Sequence, residues 1–142
     1  SYNKNYNSNG SIFTTNKNPF EEFETLLYGH NMKNGSMFSI LDKYMDEDFL
    51  YTHQKFKIYT PNENYEATIF SVYSIGVNTE SNNIKKLNFD ERIDYYKKAS
   101  KITIKSDKEI TKIVKLSTCS YLNAKTSPTD QRYYIIAYLE SI

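Results

Sequence analysis

Tryptophan is absent from this 142-residue chain, cysteine occurs once, and histidine and arginine occur twice each. A single cysteine excludes an intrachain disulfide framework, so no bridge staples the fold. The cysteine count by itself leaves the compartment open. One cysteine and two histidines, set far apart, give no cluster with metal-ligand spacing. No apolar run approaches the ~20 residues a membrane helix needs. With 18 basic and 17 acidic residues and a net charge of +1, nucleic acid and acidic membrane surfaces are not called for as partners. Initiator Met and signal peptide are missing too, as they would be after removal of an N-terminal targeting segment.

What is present is a chain of a length that suits one domain, residues 1–142. It is rich in aromatics, with 14 Tyr and 8 Phe, and its acids and bases are interspersed, unlike a disordered segment. Lysine is the default cation; the two exceptions, Arg92 and Arg132, bring a guanidinium geometry that an ammonium cannot copy.

GSIFTT reads as a short strand, and ETLLYG as a buried strand ending at Gly29. Ser36 is placed to cap a helix through SMFSILDKYM, where Met37, Leu41, Tyr44 and Met45 form one apolar stripe. KFKIYT and YEATIFSVYSI read as strands joined by a turn at residues 62–64. Residues 76–88, GVNTESNNIKKLN, read as a polar loop. FDERIDYYKKASK is helical, with acids in its first turn and lysines in its last, as the helix dipole favours. TKIVKLST and RYYIIAYLE are the final two strands. The expected fold is mainly β with inserted helices, a barrel or sandwich with the helices outside.

Four ionisable side chains stand at element boundaries. Cys119, in KLSTCSY, closes a strand among hydroxyl residues; it is either a small buried hydrophobe or a nucleophile. His30, after the strand LLYG, is either a loop histidine or a proton carrier near neutral pH. His53, between helix and strand, reads as a surface or capping residue. Arg132 opens the last strand as either an edge ion pair or a fixed donor for an oxygen that becomes negative during acyl transfer. If the strands flanking the Ser120–Gln131 loop pair antiparallel, Cys119 and Arg132 meet at one end of the sheet. Asp46, Glu47 and Asp48 read as a solvated face rather than a calcium site.

Three segments, LLYGHNMKNGSMF, KLSTCSY and QRYYIIAYLE, occur in the order of the signature segments of sortases, the cysteine transpeptidases that attach proteins to the Gram-positive cell wall. The cysteine segment resembles the family's Thr-Leu-X-Thr-Cys, with Lys115 in place of the first Thr. Tyr28-Gly29-His30 followed by a helix, and the helix from Phe89 to Lys101 before the cysteine strand, resemble class B. The similarity runs from about GSIFTT to the C-terminus. It implies a closed sortase-type β-barrel, with the family's membrane anchor, N-terminal helices and early strands lying before this chain. On that reading the chain is an N-terminally truncated catalytic domain.

The resemblance implies that Cys119 attacks the carbonyl of a Thr in the C-terminal sorting signal of a secreted protein. His30 transfers protons and Arg132 holds the substrate and the developing oxyanion. The acceptor is an amine of peptidoglycan or its lipid-linked precursor. Tyr28, Ile84, Ser117, Thr118 and Ser120 match positions at or near the substrate. The resemblance implies neither metal nor cofactor, and places the protein on the extracellular face of the plasma membrane, attached only through an N-terminal anchor. A papain-like hydrolase is disfavoured, since there the Cys precedes the His and a helix follows it. A catalytically silent β-rich surface-binding module remains as the alternative. It predicts that Cys119→Ala alters packing alone.

Overall fold

The computed structural model describes residues 12–29, 41–119 and 130–142, with Thr118 and Cys119 placed by their strand register. Six strands form one sheet in the order β1-β2-β5-β6-β4-β3: β1 Ile12–Thr14, β2 Glu24–Gly29, β3 Lys55–Tyr59, β4 Asn64–Gly76, β5 Ile113–Cys119 and β6 Gln131–Ser141. All neighbours are antiparallel except β2 and β5, which run parallel. The expected mainly-β fold with inserted helices is present. The sheet curls as a half-barrel, and among the described residues β1 and β3 are its edges.

β4 and β6 are long and buried on both faces, which is why they read as nearly continuous apolar and aromatic runs. On one face Val72, Val114, Leu116 and Ile135 pack with Leu41, Tyr44 and Leu50. On the other, Phe70, Tyr73, Ile113, Tyr134 and Ile136 pack with Ile93 and Tyr96. A bulge between Ile69 and Ser71 inserts Phe70 into β4. It resets the alternation, so Ile69 and Val72 can serve the first core while Phe70 and Tyr73 serve the second.

Helix α1, Glu47–Thr52, starts at Asp46, whose carboxylate accepts from Phe49 N at 3.0 Å. That cap separates α1 from a 3-10 turn at Leu41–Met45. The described part of the helix expected over SMFSILDKYM is therefore a 3-10 turn, with α1 a separate helix after it, while Met37 lies outside the described residues. The acids at 46–48 cap and open a helix. His53 closes the same helix, stacking on Phe49 at 4.0 Å.

Residues 76–88, read as a loop, contain helix α2, Val77–Ile84. Helix α3, Phe89–Ala99, follows, held by a reciprocal cap in which Asn88 and Glu91 each bond the other's backbone N–H. Ser71 Oγ donates to Tyr96 O at 2.6 Å and Lys101 N to Val72 O at 2.7 Å, seating α3 on β4.

Candidate active site

The antiparallel pairing of β5 and β6 sets Cys119 directly opposite Arg132, and Ile75 of β4 completes that row. One step down lies Gly29–Thr118–Tyr133–Ser74, and one further Tyr28–Ser117–Tyr134–Tyr73. Adjacent residues along a strand end are ~5 Å apart across an antiparallel pair. His30 and Ser120 lie outside the described residues. The chain enters His30 directly from Gly29, which is paired with Thr118, the residue before Cys119. Three strand ends thus converge on one end of the sheet.

Arg132 is half-buried, and its guanidinium donates to Gln131 O at 2.9 Å. Tyr28 is half-buried and stacks on Phe13 with ring centroids 5.1 Å apart. Ser117 is buried and hydrogen-bonds the Tyr134 hydroxyl. Burial, then the Glu80 carboxylate, push the Tyr134 phenol up, against the opposing pull of Arg132 and Ser117. Ile84 is the last residue of α2, rather than part of a loop, and packs partly buried against the second core. It lines a hollow of about 310 Å³ together with Glu24, Arg92 and Lys115.

Beneath this end of the sheet lies a charged network that the sequence reading did not find. Lys115 and Glu80 form an ion pair at 2.5 Å with both side chains 3% exposed. Glu80 also accepts from the Tyr73 hydroxyl, and from the Tyr95 hydroxyl at 2.7 Å. The Lys115 ammonium donates to Tyr96 OH at 3.2 Å and lies 4.7 and 4.6 Å from the Tyr96 and Tyr134 ring centroids. Tyr96 OH passes the chain on to Glu24 at 2.7 Å, which pairs with Arg92 at 3.3 Å. Burial pulls the Lys115 ammonium below its ordinary value, against the attraction of Glu80. The one available signal was Lys115 itself, a cation inside the apolar run TKIVKL. Glu80, inside the polar run NTESNN, carried none.

Among the described residues no group of three or more His, Cys, Asp or Glu is placed to hold a metal ion. No described helix is long and apolar enough to cross a membrane.

Comparison with known proteins places this site in context. The family model for the sortase domain matches residues 1–140. Sortase B of Listeria monocytogenes serovar 1/2a is 38% identical over 118 residues, covering 78% of this chain and 47% of that protein. The solved structure of sortase B from Listeria monocytogenes is similar with a TM-score of 0.72 and 32% identity, over 94% of this chain and 75% of that one. A Staphylococcus aureus sortase B–substrate complex is similar with a TM-score of 0.72 and 26% identity, over 95% and 64%. The chain spans about half the length of the curated relatives it matches.

Proposed function

Because the chain belongs to the sortase family, on its class B branch, we propose that it is the catalytic part of a cysteine transpeptidase with Cys119, His30 and Arg132 as its reacting residues. The observation that carries this reading is the cross-strand pair Cys119–Arg132, with Gly29, the residue before His30, paired with Thr118.

The Cys119 thiolate adds to the carbonyl carbon of a Thr in a C-terminal sorting signal. The carbonyl oxygen becomes an oxyanion, and the Arg132 guanidinium, fixed at the start of β6, offers N–H donors to it. The intermediate collapses as the C–N bond breaks, and His30 protonates the departing amine. The acyl group remains as a thioester on Cys119. An acceptor amine of peptidoglycan or its lipid-linked precursor then loses its proton to His30, attacks the thioester, and expels the thiolate. Thiolate and imidazolium must coexist for the first step. Tyr28, Ile84, Thr118 and Ser120 would border the peptide, with Ser117 supporting it from below through Tyr134. The reaction belongs at the cell surface, where secreted clients and wall precursors meet.

Intact-protein mass spectrometry tests this, using sorting-signal peptides of the Asn-Pro-X-Thr and Pro-Pro-X-Thr-Gly types. We expect an added mass equal to the peptide's N-terminal portion, absent in Cys119→Ala and released by an added amine. Peptide binding without any adduct, at parent stability in Cys119→Ala, would instead make the chain a surface-binding module.

A further inference from the structure

Helix α2 should not dock on a sheet by the usual means. Its sequence, VNTESNNI, offers apolar residues only at its two ends, Val77 and the partly buried Ile84, and its one buried residue is a carboxylate, Glu80. We infer that the buried Glu80–Lys115 pair is a positioning device that pins α2, and with it Ile84, to the strand carrying Cys119. The proposal rests on the transpeptidase reading for its consequence on substrate, though not for the pinning itself.

The geometry supports a pin rather than an incidental ion pair. Glu80 receives three donors, one each from β5, β4 and α3: Lys115, Tyr73 and Tyr95. The carboxylate is therefore held from three elements at once. Lys115 stands on the same strand as Cys119, four residues before it, and Tyr73 stands on the strand that continues into α2. The first turn of α2 is tied to the reacting end independently. Val77 N donates to Asp130 O at 2.8 Å, two residues before Arg132. At the adjoining Gly76 a Cβ would stand 3.0 Å from the Asp130 carboxylate, so the two segments approach closely there and a side chain would require Asp130 to shift by a few tenths of an ångström. One end of α2 is thus fixed by backbone beside Arg132, and its middle by Glu80. Ile84, one helical turn beyond Glu80, takes its place from both.

A buried pair can often be replaced by neutral groups without loss of stability, whereas removing one partner strands the other. That difference separates positioning from stability. In the full-length protein we would compare Glu80→Gln, Lys115→Met and the double variant. The amide oxygen of Gln accepts from one of the two tyrosine hydroxyls and its NH2 donates to the other, and Met fills the volume of the Lys stem. The double variant is expected to melt near the parent, with both single variants below it. Amide exchange across residues 77–87 should nevertheless rise about tenfold or more in the double variant while α3 exchange stays at the parent rate. KM for the sorting peptide should rise about tenfold with kcat within about twofold, since the wall is loosened and the reacting residues are not. Alkylation of Cys119 by iodoacetamide should keep its rate and pH profile. Unchanged exchange in α2 would overturn the pin, as would a looser α2 with the parent's KM. A parent protein that turns over no peptide would sink the proposed function, and the exchange data would still decide whether Glu80 holds α2.

Discussion

At the scale of single residues, Arg132 is where charge and geometry can be separated. One of its guanidinium nitrogens donates to the Gln131 carbonyl, which orients the planar group at the strand end opposite Cys119. A lysine would keep the charge and lose the plane, because an ammonium has no fixed fork. Arg132→Lys should therefore lower kcat/KM for the sorting peptide by about 10²–10³, the usual loss when an oxyanion donor is misplaced. Its thermal midpoint should stay close to the parent's. Activity within about threefold of the parent would remove Arg132 from the reacting end. The pairing of Cys119 with Arg132 was legible beforehand because a single loop joins their strands, and a hairpin follows from two adjacent apolar runs. The parallel pairing of β2 with β5, which sets Gly29, the residue before His30, beside Thr118, was not. The two strands are far apart in sequence, and no local pattern records such a pairing; His30 drew attention through resemblance and its place after a buried strand.

The elements show the same division. All six strands were readable, because alternating or continuous β-branched and aromatic runs have few other uses. α3 was readable from its charge gradient, acids in the first turn and lysines in the last. α2 was read as loop, since its docking depends on one carboxylate whose partners come from β4, β5 and α3. No property of residues 77–84 alone reveals that. The capping box of α3 yields a prediction at this scale. Asn88→Ala removes the acceptor for Glu91 N, at 2.9 Å, and leaves Glu91 without its reciprocal frame. Loss of such a cap costs about 1 kcal/mol. Because α3 carries both Tyr96 and Arg92 into the network with Glu24, we expect the urea midpoint to fall accordingly. Cys119 alkylation should be unaffected. An unchanged midpoint would mean that packing of Ile93 and Tyr96 holds the helix without its cap.

Across the whole molecule, the sheet is covered on both faces, and the face under α2 and α3 sets Tyr73, Tyr96 and Tyr134 among its isoleucines. Their hydroxyls serve the buried charges, and this fixes how the fold should respond to alkali. Burial, reinforced by Glu80, raises Tyr73 well above the ordinary tyrosine value of 10.0. Tyr96 is raised by burial and by Glu24, and Tyr134 by burial and Glu80. Tyr95, more exposed, is pushed up to about 12, again by burial first. A tyrosine raised in the folded state holds its proton at a pH where the unfolded chain has released it. The stability it contributes is complete below pH 10, its unfolded value, and is lost as pH rises toward its folded value. Lys115 works the other way, because burial lowers it and deprotonation relieves the cost of a buried cation. That single group is outnumbered by the four tyrosines that oppose it, so the loss with alkali prevails. The urea midpoint should accordingly hold from neutral pH to about pH 9.5 and fall between about pH 10 and 12. Tyr73→Phe should start lower at neutral pH, having lost a donor to Glu80, and then decline less steeply, having one titrating group fewer. Parallel curves for parent and variant, or a midpoint indifferent to pH above 10, would mean that these hydroxyls are not sealed in the network the geometry describes.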